Sequence, residues 1–414
     1  MTNREILNKN ILDKASKLAL KGDRLSAMKR FELLGLPHKK LENYKYTNVD
    51  AYFPTELELS PMAPSFETED KTKLGLSFHN GYLNEKSVNL PESVTLEVLN
   101  QSTEPSDDFD ALENLNLALK EQTILLTVKA NSSLKSPLYI NHFSSDDSKN
   151  SIVSTRVQIK VEKNSVVRIV ERFTSPSTER LNRNHLSFIS VEENANAEHV
   201  KVVTEGSESF HFGSLKARVG KDACFHSFTF TTGAKLSRNN IQVDLKAIGA
   251  RGEVHGLYAL RGTQQCDNFS TINHLVERTE SEQLFKAVLD DLSHGIFTGK
   301  IVVHRDAQLV NSSQLNKNLL LSKKAHADTR PQLEVYADDV KCAHGATVGQ
   351  LSDEELFYLE SRAISPKDAR VMLCHGFVQE ALNKIKSDEV RVSLEELLFE
   401  EFEKDIHTRM REEA

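Results

Sequence analysis

The spacing of apolar positions changes twice along this chain of 414 residues. Residues 1 to about 50 have helical spacing, with four apolar residues repeating at three-residue steps on one expected helical stripe. These four residues are Leu25, Met28, Phe31 and Leu34. Gly35 and Pro37 follow, in the order that ends a helix. Between Leu57 and Leu119 the pattern is mixed, and we expect one further helix around Asp110–Lys120.

From Thr123 to Thr347, short β-branched segments bounded by turn residues replace the helical spacing. Ile124–Val128 and Val157–Val161 are two examples. A landmark recurs in this zone, in which an apolar residue precedes three to five polar or small turn residues. Its seven copies begin at Val161, Val191, Val219, Ile248, Val276, Val303 and Tyr336. The steps between them are 30, 28, 29, 28, 27 and 33 residues.

Steps of nearly constant length indicate that each repeat is one coil stacked on the coil before it. A single coil cannot bury its apolar side alone, so neighbouring coils must cover it. With β-branched strands and no helical pattern between the turns, a right-handed β-helix, or β-solenoid, is the favoured fold for this zone. A β-sandwich is the alternative, because it also produces short strands at regular spacing.

Helical spacing returns in the last 65 residues. Ser352 opens a capping box, Ser365 with Pro366 starts a second helix, and Ser393 opens a second capping box. The apolar face of that terminal helix is expected to consist of Leu394, Leu397, Leu398, Phe402 and Ile406. We therefore divide the chain into an N-terminal helical or mixed region (1–120), a β-helix core (121–348) and a C-terminal helical domain (349–414).

Charge and composition exclude several classes of protein. The net charge of −8 provides no basic surface that would attract nucleic acid or an anionic membrane. No apolar run approaches the roughly 20 residues needed to cross a bilayer, and the polar N-terminus lacks the core of a signal peptide. The four cysteines lie far apart, without a CxxC pair, so we expect a protein of the reducing cytoplasm.

The sequence lacks the motifs of several common enzymes. It contains no phosphate-binding loop of the form GxxxxGK[ST], so we do not expect it to hydrolyse ATP by itself. The GxSxG turn and the HExxH helix are also missing. The sequence therefore points to none of these three kinds of enzyme.

One pair of residues has the chemistry of a metal or cluster ligand. Cys342 and His344 are two positions apart, which places both side chains on one face of an extended strand. Thiolate and imidazole both suit iron, and Asp338 and Asp339 offer oxygen ligands nearby. Two donors do not complete a site, so the others would come from elsewhere or from a partner. The alternative is that this spacing has no function.

Other histidines and cysteines allow a similar pair of interpretations. His226 and His255 each lie seven residues after a landmark, and His199 and His344 each lie eight after theirs. They are either polar residues of an outer face or a row of ligands or proton-transfer groups along the solenoid. Cys224 and Cys266 are expected to be buried as small apolar residues, and so is Cys374 on a helical stripe.

The last third of the chain resembles a known family. Gln314–Ser322 is similar to the QxNxNLLLS pattern of the SufB/SufD family, and the similarity continues through Ala327–Thr347. Phe297–Val303 and Phe357–Ser365 also fit, although the family often has glycine at the position of Ala363.

Within that family, three features favour the SufD branch over the SufB branch. Leu36 and Pro37, followed by Tyr44–Thr47, resemble an "LP…WKYT" element, with Tyr44 in place of tryptophan. The chain is shorter than a SufB protein. Its N-terminal third contains no cysteine, whereas SufB proteins often have a cysteine motif there.

The resemblance implies a non-catalytic scaffold role in iron–sulfur cluster assembly. A family member of this branch pairs with SufB through the β-helix and binds the ATPase SufC through its C-terminal helices. ATP-driven dimerisation of SufC would open a nascent cluster site at the SufB interface, where Cys342 and His344 match family positions. No cofactor would be bound stably, because iron or a transient cluster would be shared with SufB. A role in iron acquisition is also implied.

Two further points concern partners. Arg362, Pro366 and Arg370 are the residues that we expect to contact SufC, on the basis of position alone. The sequence leaves open whether the isolated chain forms a homodimer.

Two other classes of function remain open from the sequence. A β-helix hydrolase or lyase acting on polysaccharide would need carboxylates on one face of adjacent coils. Asp290–Asp291 and Asp338–Asp339 are two pairs of adjacent acids in the core, and the chain has no tryptophan to stack on a sugar. A self-assembling structural β-solenoid without any metal is the other possibility.

Overall fold

A computed structural model describes residues 2–51, 53, 58–59, 73–102, 108–145, 150–176 and 180–412. Its six α-helices are α1 (Asn3–Ala15), α2 (Gly22–Leu34), α3 (Ala111–Leu119), α4 (Asp353–Glu360), α5 (Pro366–Leu382) and α6 (Asp388–Glu412). Three 3-10 helices span Glu42–Tyr44, Val49–Ala51 and Glu85–Ser87. Among the described residues, none of the helices is both long and apolar enough to cross a membrane.

Twenty β-strands make up the remainder of the regular structure within the described residues. They are β1 (Glu58–Leu59), β2 (Gly75–His79), β3 (Tyr82–Leu83), β4 (Val94–Leu99), β5 (Thr123–Val128), β6 (Leu138–Phe143), β7 (Ser151–Val161), β8 (Val166–Thr174), β9 (Asn182–Val191), β10 (Asn196–Val203), β11 (Phe210–Val219), β12 (Cys224–Thr231), β13 (Leu236–Leu245), β14 (Arg251–Leu260), β15 (Gln265–His274), β16 (Glu280–Leu289), β17 (His294–Val303), β18 (Val310–Leu320), β19 (His326–Val335) and β20 (Val340–Gln350).

From β5 onward the chain winds through about eight coils of two strands each. Odd-numbered strands stack into one parallel sheet and even-numbered strands into the other, with each strand paired to its equivalent in the next coil. The β-solenoid prediction is therefore confirmed. The β-sandwich alternative is wrong, because the strands of neighbouring coils run parallel.

The predicted landmarks mark one corner of the solenoid. Val161, Val191, Val219 and Val303 are the last residues of β7, β9, β11 and β17. The looser copies are displaced by one to three residues, since β13, β15 and β19 end at Leu245, His274 and Val335 rather than at Ile248, Val276 and Tyr336. Ile248 is exposed, so it is not structurally equivalent to the buried valines that end β7, β9 and β11.

The same corner repeats a left-handed backbone conformation from coil to coil. The residues with positive φ are Asn131, Asn164, Asn194, Asp222, Gly249, Arg278 and Leu309. Asparagine, aspartate and glycine adopt this conformation with the least strain. The amide of Asn194 donates to Asn164, and that of Asn164 to Asn131, both at 2.9 Å. These hydrogen bonds fix the register of the first coils.

Helices cover the outer face of each sheet. Leu186, Phe188 and Phe212 of the odd-numbered sheet pack into one cluster with residues of α1, α2 and α3. Val200, Phe228, Leu257 and Leu319 of the even-numbered sheet pack into another with α5 and α6. The interior between the sheets contains a third apolar cluster. Strands in the middle of the solenoid, such as β7, β9 and β11, are consequently buried on both faces, as parallel strands usually are.

Two details of the helices differ from the sequence predictions. In α2 only Met28 and Phe31 of the predicted stripe are buried, whereas Leu25 and Leu34 are exposed. A three-residue step falls short of a 3.6-residue turn, so four such residues drift around the helix. Gly35 ends α2 with a φ of 64°, as predicted.

The terminal helix begins earlier than predicted. Ser352 and Ser365 cap α4 and α5 as expected, but Ser393 lies inside α6 rather than at its start. Val390 is buried in the preceding turn, and Arg391 forms ion pairs with Asp388 and Glu395, which extends the helix. The predicted apolar positions Phe402 and Ile406 lie outside the side chains that the structure describes.

Candidate functional site

The last coil ends in two edge strands. Within the described residues, β19 has only β17 as a sheet neighbour and β20 has only β18. Each strand therefore presents one unpaired edge of backbone N–H and C=O groups, and side chains along both are half-buried or exposed. This end of the solenoid can accept further strands.

Cys342 and His344 lie on β20 at this open end. Their register partners on β18 are Ser312 and Gln314, both buried in the interior. Strand alternation therefore directs both side chains toward the solenoid interior at its mouth. Cys342 is half-buried and His344 is exposed, so another chain can reach them.

The two predicted oxygen ligands do not complete this pair. Asp338 and Asp339 lie in the turn before β20, where the Asp339 carbonyl accepts from the Leu309 amide at 2.7 Å. Among the described residues, neither carboxylate joins Cys342 or His344 in a cluster of three candidate metal ligands. The thiol–imidazole pair remains incomplete within the described part of this chain.

Behind the mouth, buried polar side chains continue through the solenoid interior. Gln314 donates to Gln283 at 3.2 Å, and Asn318 donates to Asn316 at 2.8 Å. Nearer the middle of the solenoid, the Lys201 ammonium donates to Asn239 at 2.8 Å, and Asn239 donates to Asn268 at 2.9 Å. Because these groups are buried, each hydrogen bond offsets a desolvation cost.

The interior polar groups include a buried carboxylate bound by three histidines. Glu171 lies 2.9 Å from the Nε2 atoms of His142 and His199 and 3.0 Å from that of His185, and the Ser187 hydroxyl donates to it at 2.9 Å. All five side chains are buried. An ionised carboxylate only accepts, so each imidazole must donate its Nε2–H.

The environment of this cluster fixes its charge state. Burial lowers the pKa of His142 to about 3 and that of His185 to about 4, so both imidazoles are neutral near pH 7. Burial alone would raise the pKa of Glu171, but His185 and the hydrogen bonds from the imidazoles hold it well below its usual range. The sequence prediction missed His142, His185 and Glu171.

The predicted histidine rows are not present in the expected form. His199 belongs to the interior cluster and not to an outer face. His226 pairs in register with Glu253 and His255 with Phe228, so the two histidines are offset by two positions and do not stack. The displaced landmark at Ile248 caused this error, and both of these histidines are buried.

The cysteine predictions hold at two of three positions. Cys266 and Cys374 are buried as expected, and burial raises the pKa of each thiol to about 12. Cys224 is only half-buried, and its Sγ lies 3.1 Å from Nε2 of His226. The spacing of this pair equals that of Cys342 and His344, so the sequence contains a signal for it.

The first two C-terminal helices present an exposed surface. Phe357 and Tyr358 of α4 are large exposed aromatic residues, and none of the α4 side chains is buried. Arg362 stacks its guanidinium on Tyr358, 4.5 Å from the ring centroid. Pro366 and Arg370 of α5 are also exposed, so the three predicted contact residues are accessible.

The two aspartate pairs considered for a hydrolase lie apart. Asp290–Asp291 belongs to the turn between β16 and β17, and Asp338–Asp339 to the turn between β19 and β20. The first turn leads from the even-numbered to the odd-numbered sheet and the second leads back, so they lie at different corners. This arrangement does not give the facing carboxylates of a polysaccharide hydrolase.

Comparison with known proteins gives two family matches. The model described as "SUF system FeS cluster assembly, SufBD core domain" matches residues 143–377, and that described as "SufBD protein N-terminal region" matches residues 7–73. A SufBD family iron–sulfur cluster assembly protein of Synechocystis sp. is 32% identical over 387 residues, covering 86% of this chain and 85% of that protein.

Two further relatives have informative names. The iron–sulfur cluster assembly protein SufD of Escherichia coli is 27% identical over 365 residues, which is 86% of each chain. The chloroplastic protein ABCI7 of Arabidopsis thaliana is 30% identical over 292 residues, covering 69% of this chain and 62% of that protein.

Proposed function

Because this chain belongs to the SufB/SufD family of iron–sulfur cluster assembly proteins and is SufD-like, we propose that it is the scaffold subunit that pairs with SufB and SufC. In this role it performs no catalysis itself. The nascent iron–sulfur cluster is its cargo, held transiently at the SufB interface, and the ATPase SufC supplies the driving force.

The observation that carries the proposal is the position of Cys342 and His344 at the open end of the solenoid. The unpaired edges of β19 and β20 suit a partner that adds its own strands, since main-chain hydrogen bonds then provide affinity. Such a partner would place its ligands beside the thiol and the imidazole. SufB is the partner proposed for this end.

The proposed SufC surface lies on α4 and the start of α5. Exposed aromatic residues are enriched in protein interfaces, and Phe357 and Tyr358 have no covering element within the described residues. Arg362, which stacks on Tyr358, and the exposed Pro366 and Arg370 follow in the next segment of the chain. The packing of α5 on the even-numbered sheet would transmit movement of SufC to the solenoid.

The proposal has three further parts, which concern cellular location, iron acquisition and self-association. We infer a cytoplasmic location, because the cysteines are free and far apart. A contribution to iron acquisition is proposed from the family resemblance alone. A homodimer of the isolated chain would use the same two edge strands, so SufB would compete with it.

The scaffold role is tested by co-expression with SufB and SufC and purification through a tag on SufB. We expect recovery of all three chains. Val348→Asp places a charge on β20 and should reduce recovery of this chain at least tenfold. The matched control is Val98→Asp on β4, at the other end of the odd-numbered sheet, because both valines are 47% exposed. Equal loss with the two variants would contradict the assigned interface.

A further inference from the structure

The second Cys-x-His pair lies on the outer face of the even-numbered sheet. Cys224 and His226 are two residues apart on β12, so alternation places them on the same face. The Cys224 Sγ atom is 3.1 Å from Nε2 of His226, and Nδ1 of that ring is 2.9 Å from Oε2 of Glu253. Glu253 is the register partner of His226 on β14, so the sheet itself fixes their separation.

This order of groups is that of an activated nucleophile. A thiol within hydrogen-bond reach of an imidazole, which is in turn oriented by a carboxylate, is the arrangement that converts cysteine to its reactive thiolate. We propose that Cys224 is a nucleophilic thiol, with His226 as its base and Glu253 as the positioning residue, and that it forms mixed disulfides with small anionic thiols.

The thiol is accessible from solvent. Cys224 is half-buried and opens into a cavity of about 430 Å³, within the range of small-molecule sites. The residues lining it include Asn196, Glu198 and Lys386. A substituent the size of a small peptide thiol fits this volume.

The electrostatic surroundings favour a thiolate–imidazolium ion pair between Cys224 and His226, and an anionic ligand in the cavity. The charged groups facing Cys224 and His226 come from β8, β10, β14 and the segment between α5 and α6, and they are Arg168, Glu198, Arg251, Glu253 and Lys386. Burial alone would lower the pKa of His226, but hydrogen bonds with Cys224 and Glu253 raise it to about 9. Arg251 pairs closely with Glu280, at 2.8 Å, whereas Lys386 lies 3.4 Å from Glu253 and Arg168 lies 3.8 Å from Glu198. The two longer pairs leave Lys386 and Arg168 able to contact a ligand carboxylate as well.

The reaction needs only a disulfide as its co-reactant. The Cys224 thiolate attacks one sulfur of the disulfide, an S–S bond forms between them, and the other half leaves as a thiolate. The proton of Cys224 stays on His226 and then neutralises the leaving thiolate. The exchange conserves electrons, so no separate oxidant is required.

The remaining cysteines make the proposal measurable. Cys266 and Cys374 are buried, and their raised thiol pKa values make them unreactive in the folded chain. Cys342 is half-buried and would compete, so the full-length chain should be prepared with Cys342→Ser. In the Cys342→Ser chain, cysteine labelling of the folded protein therefore measures the reactivity of Cys224.

The experiment measures the rate of Cys224 alkylation by iodoacetamide from pH 5.5 to 9, followed by mixed-disulfide formation with oxidised glutathione, both read by peptide mass spectrometry. We expect the alkylation rate to change less than threefold between pH 6 and 8. His226→Ala should lower the rate at pH 6 at least tenfold, and Glu253→Gln should lower it by a smaller factor. His294→Ala, a histidine on the opposite sheet, should leave it unchanged.

Three results would overturn the proposal. One is a Cys224 alkylation rate that rises tenfold per pH unit up to pH 8.5 and is the same in His226→Ala and Glu253→Gln as in the parent chain. Another is a folded chain whose Cys224 resists both reagents but reacts after unfolding. The third is stoichiometric bound zinc that must be removed before labelling, which would make the group a metal site. If His226→Ala fails to fold, the alkylation rate of Glu253→Gln at pH 6 decides whether the proposal stands. SufB and SufC are absent, so the result is independent of the scaffold role.

Discussion

Cys342 and Cys224 each precede a histidine by two residues, but the two pairs face opposite sides of the same sheet. Cys342 pairs in register with the buried Ser312 and points inward, whereas Cys224 lies beside the surface cavity. Spacing predicts that two side chains share a face, but it does not predict which face. The difference makes the first pair a candidate interface site and the second a candidate reactive thiol.

The buried histidines make stability depend on pH. His142 and His185 have folded-state pKa values of about 3 and about 4, below the unfolded value near 6.5, so the unfolded chain binds more protons in the window between them. Each of these two histidines should therefore lower the unfolding free energy by about 2 kcal/mol when the pH falls from 7 to 5. His211, whose pKa burial also lowers to about 4, acts in the same direction.

Urea titrations at pH 7 and pH 5 measure this effect. We expect the unfolding free energy to fall by at least about 4 kcal/mol. His304→Ala, at an exposed histidine, should have the same pH dependence as the natural chain. Equal stability at the two pH values would show that the interior histidines are not held neutral.

At the scale of elements, the sequence predicted the coils well because every coil repeats the same corner. Val161, Val191 and Val219 precede turns that adopt the same left-handed conformation. The landmark at Ile248 failed because the corner between β13 and β14, at residues 246–250, is one residue longer than the corner between β11 and β12, at residues 220–223. The interior cluster around Glu171 could not be predicted, because strands buried on both faces lack the alternation that distinguishes inside from outside.

Mutations in two of the C-terminal helices should separate an effect on stability from an effect on SufC binding. Leu382 of α5 is fully buried against the sheet, so Leu382→Ala should lower the unfolding free energy by about 2–5 kcal/mol. Phe357 of α4 is 72% exposed, so Phe357→Ala should change stability by less than about 0.5 kcal/mol. The second variant should nevertheless weaken capture of SufC.

Urea unfolding and a SufC pull-down on the same preparations distinguish the two effects. Retention of full SufC binding by Phe357→Ala would place the SufC surface elsewhere. A stability loss at Phe357 as large as that at Leu382 would mean that α4 is covered in solution.

At the scale of the molecule, the two ends of the solenoid differ. Within the described residues both ends finish in edge strands. At the first end these are the antiparallel β4 and the two-residue β3, whereas at the last end they are the longer parallel strands β19 and β20. Exposed edges of this length invite pairing with another chain. The proposed scaffold role would use this longer edge to pair with the partner chain.

The resemblance noted in Gln314–Ser322 and Ala327–Thr347 is confirmed by the family match over residues 143–377. These two stretches form β18, β19 and β20, the strands that build the open end. The part of the sequence that identified the family is therefore the part that forms the proposed interface. Under the proposed function the residues that complete the ligand set belong to a second chain, so the sequence of this chain could not predict them.

The most direct measurement is the iron and acid-labile sulfide content of the complex with SufB and SufC, assembled with His344→Ala in place of the natural chain. We predict an intact complex by size-exclusion chromatography with cluster content reduced at least fivefold, whereas the exposed-site control His304→Ala retains its clusters. A His344→Ala complex with normal iron and sulfide would contradict the claim that the open end of this solenoid holds the nascent cluster.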